Sequence, residues 1–403
     1  MNDVVITGLG IVSVLGTGIH KVTDALKNGQ SGVIFDQSRL DVGFRSGLTG
    51  LIDDFEVPPL SRKQRKTMTE FTLWAYGAAL EALQMSGLTD DDVHSHRTGL
   101  IIGNDTTTLA NIEQVDITRN KKSTFSIGST RVFQALNSTA TMNLNTLLGN
   151  RGAAWTLSGA CASGGHAVGQ ARDLIALGRQ DRIICGGVQE INWESISSFD
   201  ATNAFSTRHG DPVAASRPFD KDRDGLVPSG GAAIIVLERK DLARKRGAQI
   251  LGEVLSYGFS SDGSNLAVPS GDGLQMCMTE CLQRGETELD EVDYICAHGT
   301  STPVGDAKEA QAIHNVFGKD GPWVSSIKSM TGHEMWMSGA SQVVYSVLMA
   351  REGFVARNLN FIKQDDEAPK IKIATETIEL RPRKILTNSA GFGGTNSCLL
   401  LEV

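Results

Sequence analysis

The stretch AWTLSGACASGGHAVGQARDLIAL, residues 154–177, decides the fold class. Its first part, Ala154–Leu157, is a short apolar run of the kind that forms a buried strand. A turn of small residues follows, and Cys161–Leu177 then has the spacing of apolar side chains that predicts an amphipathic helix. The stretch therefore predicts a strand, a tight turn and a helix, which is the basic unit of an α/β protein.

The second half of the chain repeats this pattern. Val324–Ile327 is again a short apolar run, Ser329–Gly332 is a turn, and His333–Arg351 is a predicted helix. Both turns bring a reactive side chain, Cys161 or His333, to the beginning of a helix. The repeat predicts two related α/β halves that share one core.

Further apolar runs predict strands along both halves. They are rich in Val, Ile or Ala and end at Gly or a polar turn. Because strands alternate with helices, we expect an α/β fold with mostly parallel sheets buried on both faces. The basic stretch Arg239–Arg246 predicts a surface helix, so we divide the chain there into an N-terminal half, 1–245, and a C-terminal half, 246–403. The predicted strands are Val4–Thr7, Gly99–Gly103, Ala153–Leu157, Arg182–Cys185, Ala232–Leu237, Ile250–Tyr257, Tyr294–Ala297, Trp323–Ile327, Lys384–Asn388 and Cys398–Glu402.

Composition excludes several classes of protein. The chain has 403 residues, 40% of them hydrophobic and 21% charged, which is typical of a globular protein and not of a disordered or fibrous one. With 38 basic and 46 acidic residues the formal net charge is −8. A net negative chain is a poor candidate for binding nucleic acid or a membrane surface, because both require a broad basic face.

The N-terminus and the cysteines indicate the compartment. The first residues, MNDVVITGLGIVSVLGTG, have no basic segment before the apolar run, so we expect no signal peptide. No apolar run reaches the ~18 residues that a membrane span needs. The six cysteines are scattered, without disulfide-type or zinc-type spacing. The sequence therefore predicts a cytoplasmic protein that binds no metal.

Cys161 is the candidate nucleophile. It lies between a predicted strand and a predicted helix, where backbone N–H groups and the helix dipole favour a thiolate. The same N–H groups can stabilise an oxyanion. The alternative is that Cys161 is a small buried hydrophobic residue, as most cysteines are.

Three other loops carry candidate catalytic groups. His298 follows a strand and opens the loop HGTSTPVGD, at the position where ligands bind in α/β sheets. KSMTGH brings Lys328 and His333 to the end of another strand, and a nearby cation keeps an imidazole neutral. The Gly-rich loop around Phe392 can contribute a backbone N–H. The alternatives are a loop histidine bonded to a carbonyl, a solvated lysine and a flexible turn.

Two nucleotide-binding motifs are incomplete. Gly8-Leu9-Gly10 follows a strand, as in dinucleotide-binding proteins, but Ser13 stands in place of the third glycine. The chain contains no GxxxxGK[ST] phosphate loop. We therefore expect neither a nicotinamide cofactor nor nucleotide hydrolysis.

Together these residues resemble one family, the β-ketoacyl-[acyl-carrier-protein] synthases of type II fatty acid synthesis, and in particular its type I/II condensing enzymes. The similarity runs over nearly the whole chain. It includes VITGLGIV at the N-terminus, SRPFD at 216–220, HGTSTPVGD at 298–306, KSMTGH at 328–333 and GFGGTN at 391–396. The order of the last three motifs after Cys161 makes the resemblance specific. It implies a thiolase-like fold in layers αβαβα and a homodimer.

The resemblance also implies roles for individual residues. Cys161 is expected to accept the acyl group, and His298 and His333 to bind the malonyl thioester carbonyl. Lys328 is similar to the family's active-site lysine and Glu309 to its nearby carboxylate. The remaining implied groups are the backbone N–H of Phe392 in the oxyanion hole and a substrate-binding set of Thr300, Thr302, Thr107, Phe199 and Ala390.

The reaction implied is decarboxylative Claisen condensation of a Cys-bound acyl group with malonyl-carrier protein. It needs no cofactor, because both substrates are carried on the 4'-phosphopantetheine arm of the carrier protein. That acidic carrier requires a local basic surface. We expect one at Arg62, Lys63, Arg65 and Lys66 and another at Arg119, Lys121 and Lys122.

The sequence departs from the family near the expected acyl pocket. Glu334–Gly339 reads EMWMSG where relatives commonly have SLGAAG, and Ala390 replaces a Phe. Asn104–Thr107 replaces a glycine-rich stretch. The length and saturation of the acyl group are therefore open, as are fatty acid and polyene or polyketide pathways. A non-catalytic chain-length subunit is disfavoured by Cys161, and a coenzyme A thiolase by the two histidines with Lys328.

Overall fold

The computed structural model describes residues 1–366 and 368–403. The helices are α1 Ile19–Asn28, α2 Gln37–Asp41, α3 Arg62–Arg65, α4 Glu70–Ser86, α5 Asp90–Val93, α6 Leu109–Lys121, α7 Arg131–Ala135, α8 Thr139–Leu148, α9 Ser163–Ala176, α10 Trp193–Asp200, α11 Lys240–Lys245, α12 Asp272–Arg284, α13 Pro303–Phe317, α14 Lys328–Thr331 and α15 Ser338–Glu352. The strands are β1 Val4–Ser13, β2 Gly16–Thr17, β3 Val33–Phe35, β4 Leu48–Gly50, β5 Thr98–Gly103, β6 Ala154–Leu157, β7 Arg182–Gln189, β8 Gly231–Arg239, β9 Gly252–Ser261, β10 Tyr294–Cys296, β11 Trp323–Ser325, β12 Lys384–Ala390 and β13 Thr395–Glu402.

Two sets of strands have the same topology. The first set is ordered β1-β8-β7-β5-β6 and the second β9-β13-β12-β10-β11, so each strand has a counterpart in the other set. Parallel and antiparallel pairs also occur at the same places in both sets. The sets are joined where β1 pairs with β9. The two related α/β halves are therefore present, while the division at 245/246 stays a prediction.

The expectation of mostly parallel sheets is wrong. Parallel pairs join β5 to β6 and β7, and β10 to β11 and β12, but the other neighbours in the large sheet are antiparallel. A parallel pair needs a crossover connection, which α6, α7 and α8 provide between β5 and β6. The short turn between β12 and β13 instead folds these strands back on each other. Apolar runs did not reveal this, because helices cover both faces of the antiparallel pairs as well.

Helices and sheets alternate in five layers. Helices α4 and α8 pack on the outer face of the first strand set, and α12 and α13 on the outer face of the second. Between the sets lie α9 and α15, whose apolar side chains join the largest core cluster. Helix α15 is buried along nearly its whole length, since its surfaces are covered from both sides. The thiolase-like αβαβα arrangement is thus confirmed.

Strand β1 extends beyond the prediction because of two glycines. The pattern predicted a strand only at Val4–Thr7, yet the strand continues to Ser13. A Cβ at Gly8 would lie 2.0 Å from the carbonyl oxygen of Ala82, and one at Gly10 would lie 1.9 Å from that of Ala78. The two glycines therefore allow α4 to pack directly on β1. This close packing explains why glycine stands at both positions, so the pattern need not be a dinucleotide-binding motif.

The internal repeat is present, but in a different register from the one predicted. Ala160 and Met335 both have positive φ, 45° and 44°, and each begins a 3₁₀ turn that runs directly into α9 or α15. The counterpart of Cys161 is therefore Trp336, and His333 lies before the equivalent turn. The predicted turn at Ser329–Gly332 is mostly the short helix α14, an insertion that the first half lacks.

Membrane spans, metal sites and disulfides were each considered in the sequence, and the structure bears on all three. In the described ranges, no helix combines the length and the apolar character needed to cross a membrane. Within the same residues, no cluster of metal-ligating side chains was found. The cysteines, all of which are described, are buried thiols without a disulfide partner.

Candidate active site

The candidate site forms where α9 begins, beside the loops that follow β10 and β11. Cys161 is in the 3₁₀ turn Ala160–Ala162 and only 6% of it is exposed. The positive charge of Lys328 acts on this thiol and on the imidazoles of His298 and His333. The two imidazole rings are 5.4 Å apart between centroids and nearly perpendicular, at 87°. Groups distant in sequence therefore share one electrostatic environment.

Burial has the largest effect on the pKa of the Cys161 thiol. It raises the pKa of the thiol to about 12, although the charge of Lys328 lowers it. The backbone N–H groups of Cys161 and Phe392 also lower this pKa, which requires both to point toward the sulfur. The backbone N–H groups at the helix start thus favour the thiolate, as expected, but removal from water outweighs them and the nearby positive charge. These are the two N–H groups predicted to bind the oxyanion, and that role stays a prediction.

The contacts of His333 determine which nitrogen faces the site. The backbone N–H of Met335 donates to Nδ1 of His333 at 3.2 Å, and the Ser338 hydroxyl lies 3.2 Å from the same nitrogen. A nitrogen that accepts from a backbone N–H carries no proton, so the neutral ring carries its proton on Nε2. Burial, with a further contribution from Lys328, holds the pKa of His333 well below its usual range. His333 is thus fixed as a neutral donor.

Lys328 determines which ring nitrogen of His298 carries the proton. The ammonium of Lys328 donates to the backbone oxygen of His298 at 2.7 Å and lies 3.5 Å from its Nδ1. Since an ammonium can only donate, Nδ1 acts as the acceptor and Nε2 carries the proton. Burial, Lys328 and His333 all lower the pKa of His298 well below its usual value. Both imidazoles therefore present N–H donors.

Glu309 holds the loop that carries His298. Its two carboxylate oxygens accept from the backbone N–H groups of His298 at 2.8 Å and Gly299 at 2.6 Å. The side-chain amide of Asn388 donates to the same carboxyl at 3.3 Å. Burial raises the pKa of Glu309, and these donors together with Lys328 oppose that shift.

Glu334 is a second buried carboxyl beside this group, and the sequence marked it only as a departure from the family. Its oxygens accept from Ser341 at 2.5 Å and Tyr345 at 2.6 Å. Burial raises its pKa to about 7, while the two hydroxyls and Lys328 lower it. Burial lowers the pKa of Lys328, and Glu309 and Glu334 are among the groups that counteract this shift.

Apolar side chains surround the thiol on its other side. Cys161 packs in one cluster with Ile196, Phe205, Leu226, Met335 and Trp336, with Phe44, Ala160 and Phe199 at its edge. The Phe199 ring stacks on that of Phe392 at 5.7 Å and lies 6.1 Å from Trp336. Phe392 is 45% exposed, so these aromatic rings extend from the surface to the buried thiol.

The predicted substrate-binding residues occupy different positions. Thr300 and Thr302 lie together, with their hydroxyls 3.0 Å apart, just before α13. Ala390 ends β12 next to the Phe392 loop. Thr107 is buried and bonds to Asn104 and to the carbonyl of Leu136. Its neighbour Thr106, which the sequence did not single out, accepts instead from Trp336 at 3.3 Å. The binding roles of these residues stay predictions.

Asp306 is a further residue that the sequence analysis missed. Its carboxyl accepts from the backbone N–H groups of Thr300, Ser301 and Phe219. Burial raises its pKa to about 7. Its position in the first turn of α13, after Pro303, was the available signal, since an acidic residue there can bind free backbone N–H groups.

Both basic clusters are exposed. Arg62, Lys63 and Arg65 form α3, which Ser61 caps, and Lys66 ends it. Arg119 and Lys121 occupy the last turn of α6, and Lys122 caps that helix. Arg119 has an acidic neighbour, Asp116, at 3.9 Å. Gln134 links α7 to the first cluster through the backbone oxygens of Lys66 and Met68.

The duplicated α/β fold, with its buried thiol at the start of a central helix, places the chain in the thiolase-like class of proteins. Two family profiles match the chain: "Beta-ketoacyl synthase, N-terminal domain" over residues 1–243 and "Beta-ketoacyl synthase, C-terminal domain" over residues 251–362. The chain belongs to the β-ketoacyl synthase family. The predicted resemblance is thereby confirmed, and with it the assignment to the acyltransferases.

Known proteins are similar to this chain over its full length. A 3-oxoacyl-[acyl-carrier-protein] synthase 1 of Haemophilus influenzae is 39% identical, covering 100% of this chain and 99% of its own. The crystal structure of a β-ketoacyl synthase from Burkholderia phymatum has a TM-score of 0.95 at 31% identity, covering 100% and 99%. A type II polyketide ketosynthase in complex with its acyl-carrier protein and bound to a hexaketide has a TM-score of 0.89 at 28% identity, with the same coverage.

Proposed function

We propose that this chain is a β-ketoacyl-[acyl-carrier-protein] synthase of fatty acid chain elongation. It joins an acyl group held on Cys161 to the two carbons that remain when a malonyl thioester loses carbon dioxide. The observation that carries the proposal is the pair of neutral imidazoles, each presenting an Nε2–H beside one buried thiol. The full-length similarity to a curated 3-oxoacyl-[acyl-carrier-protein] synthase 1 supports it.

The first half-reaction loads the enzyme. The sulfur of Cys161 attacks the carbonyl carbon of an acyl thioester, and the pantetheine thiol leaves with the proton. The N–H groups of Cys161 and Phe392 stabilise the oxyanion that forms during this exchange. A thiol suits this step because its thiolate is both a good nucleophile and a good leaving group.

The second half-reaction forms the new carbon–carbon bond. The malonyl thioester loses carbon dioxide, and the negative charge moves to its thioester oxygen as an enolate. His298 and His333 donate to that oxygen, and each such donor is typically worth roughly 3–4 kcal/mol of barrier. The enolate carbon attacks the acyl carbon on Cys161, the β-ketoacyl thioester leaves, and the released thiolate takes up one proton.

This chemistry supports a reaction without a cofactor. Decarboxylation supplies the carbanion equivalent, so no strong base is required, and the imidazole donors stabilise the enolate directly. We therefore also propose that the enzyme uses no cofactor and that its substrates arrive on the pantetheine arm of the carrier protein. A cytoplasmic location stays a prediction.

The acyl carrier protein is the proposed partner. A similar ketosynthase has been solved in complex with its acyl-carrier protein. An acidic carrier would meet an exposed basic surface here at Arg62, Lys63, Arg65 and Lys66. Such a surface increases the association rate by electrostatic attraction.

A second copy of the chain is the other proposed partner. Strand β6 lies at the edge of the large sheet, and Trp155 on it is 43% exposed. An exposed edge strand readily pairs with another chain. Large apolar side chains exposed in residues 112–136, including Phe125 and Phe133, support a homodimer here. Sedimentation velocity will distinguish the dimer from a monomer.

A specialised polyene or polyketide synthase of the same mechanism is the second candidate. The bulky residues Met335, Trp336 and Met337, together with the structural similarity to a polyketide ketosynthase, favour it. A non-catalytic chain-length subunit is disfavoured, because the thiol and both imidazoles are present and all three lie within the influence of Lys328.

Mass spectrometry of the intact protein tests the proposal. After incubation with acyl-carrier proteins of different length, we expect one acyl adduct, located on Cys161, and release of carbon dioxide and a β-ketoacyl product when malonyl-carrier protein is added. Cys161→Ala should abolish the adduct, whereas Cys185→Ala, at another buried thiol, should retain it. An adduct that persists in Cys161→Ala would overturn the assignment of the nucleophile.

A further inference from the structure

Trp336 is the structural counterpart of Cys161 and lies beside it. Each follows a residue with positive φ, Ala160 or Met335, at the start of a central helix. The side chains of Cys161 and Trp336 belong to the same apolar cluster, and Trp336 is only 4% exposed. An acyl group on the sulfur must enter the space that this cluster surrounds.

The backbone of Trp336 is fixed by close contacts. A Cβ at Gly164, in the first turn of α9, would lie 3.0 Å from the carbonyl oxygen of Trp336. A Cβ at Gly187, on β7, would lie 3.0 Å from the same oxygen. These two glycines, on different elements, therefore leave room for the peptide of Trp336 to pack closely against α9 and β7.

The indole of Trp336 is fixed as well. Its Nε1–H donates to the hydroxyl of Thr106 at 3.3 Å, at the beginning of the segment that follows β5. The ring of Phe199 lies against it with centroids 6.1 Å apart. A different rotamer would leave the buried indole N–H without its partner, which costs free energy.

We propose that Trp336 closes the inner end of the acyl pocket and restricts this enzyme to short acyl groups. The inference rests on the proposed function, since it concerns the acyl group that Cys161 carries. Ile196, Phe205 and Leu226 are buried in the same apolar cluster as the thiol and Trp336. A longer chain must displace the indole from both Thr106 and Phe199.

Acyl loading of the intact enzyme tests this inference. Saturated acyl-pantetheine thioesters serve as probes, from acetyl through butyryl, hexanoyl and octanoyl to dodecanoyl, and mass spectrometry gives the rate of adduct formation on Cys161. For the unaltered enzyme we expect acetyl and butyryl to load fastest. Each methylene beyond the limit should lower the rate roughly tenfold or more. Equal loading of butyryl and dodecanoyl would overturn the inference.

Variants of Trp336 and Thr106 test the residue itself. Trp336→Gly should load octanoyl and dodecanoyl while it still loads acetyl. Thr106→Val keeps the volume and removes only the acceptor of the indole N–H, so it should shift the limit by fewer carbons. The control Trp74→Phe alters a buried tryptophan on α4, in a core cluster that does not include Cys161, and it should keep the original limit.

The outcomes separate the two proposals. Loading of short groups with an unchanged limit in both Trp336→Gly and Thr106→Val would contradict the role of Trp336 and leave the proposed function intact. If Trp336→Gly does not fold, Trp336→Phe, a smaller ring without the N–H, takes its place with the same expected direction. Absence of an adduct with every probe would contradict the proposed function instead.

Discussion

At the scale of single residues, burial controls the reactivity of Cys161. Only the thiolate reacts with an alkylating agent, and burial raises the pKa of this thiol to about 12. Below that pKa the thiolate fraction increases tenfold for each pH unit. We therefore expect the rate of alkylation of Cys161 by iodoacetamide to rise steadily from about pH 6 to about pH 10, beyond the ordinary range for a thiol.

Mass spectrometry of the alkylated site gives this rate without interference from other thiols. Cys161→Ala serves as the control for alkylation elsewhere in the chain. A rate that levels off at or below about pH 8.5 would indicate a thiol of ordinary or lowered pKa and would contradict the effect of burial.

The sequence could predict the site residues whose side chains are seldom needed for structure alone, such as a cysteine, a histidine or a lysine beside a turn of small residues. Cys161 lies in a 3₁₀ turn, Lys328 begins α14, and His298 and His333 lie in loops. The structure brings the thiol and both imidazoles under the influence of the Lys328 ammonium. The acidity of the thiol could not be predicted in this way. It depends on how completely the surrounding chain excludes water, and no local pattern reports that.

At the scale of secondary structure elements, the close crossing of α9 and α15 positions the residues that precede these helices, including Cys161 and His333. A Cβ at Gly339 on α15 would lie 2.3 Å from the backbone nitrogen of Gly165 on α9. Gly339→Ala should therefore force the two central helices apart and lower the free energy of unfolding by about 1–3 kcal/mol. Urea unfolding measures this change.

Gly210→Ala is the matched control for that substitution. A Cβ there would meet no atom within 4 Å, so we expect a change below about 0.5 kcal/mol. Equal stabilities of the two variants would show that the helices do not approach each other as closely as the structure has them.

The strands and the internal repeat were predictable, but their pairing and register were not. Short apolar runs identified β5 and β12, since burial on both faces requires such residues. The run at β6 also marked a strand, but the expectation that it is buried was wrong, because it lies at the edge of the sheet and Ala154 and Trp155 are exposed. The same runs could not distinguish parallel from antiparallel neighbours, because helices cover both kinds. Matching Cys161 with His333 was wrong since α14 is an insertion, whereas the positive φ of Ala160 and Met335 identifies the true counterparts.

At the scale of the whole molecule, the exposed charges on α3 are the proposed docking surface for a carrier protein. The chain is acidic overall, with a net charge of −8, so binding of an acidic partner requires a local basic surface. Reversing Lys63 and Lys66 to Glu should raise the KM for acyl-carrier protein at low salt roughly 5- to 30-fold, equivalent to about 1–2 kcal/mol. Acyl-pantetheine, which lacks the carrier, should load at the unaltered rate.

Lys245→Glu is the control for this charge reversal. It changes one exposed lysine on α11, away from α3, and should leave the KM for acyl-carrier protein nearly unchanged. An unaltered KM in the Lys63 and Lys66 variant would exclude α3 from the docking surface.

The convergence of one thiol with two imidazole donors is tested most directly by measuring the two half-reactions separately in variants of the same enzyme. The measurement follows release of labelled carbon dioxide from malonyl-carrier protein and, in parallel, acyl loading of Cys161. We expect His298→Gln and His333→Gln to release carbon dioxide about 100- to 1000-fold more slowly while Cys161 still loads, and Cys161→Ala to release it without loading. Undiminished release in both histidine variants would contradict the assignment of the imidazoles and, with it, the proposed mechanism.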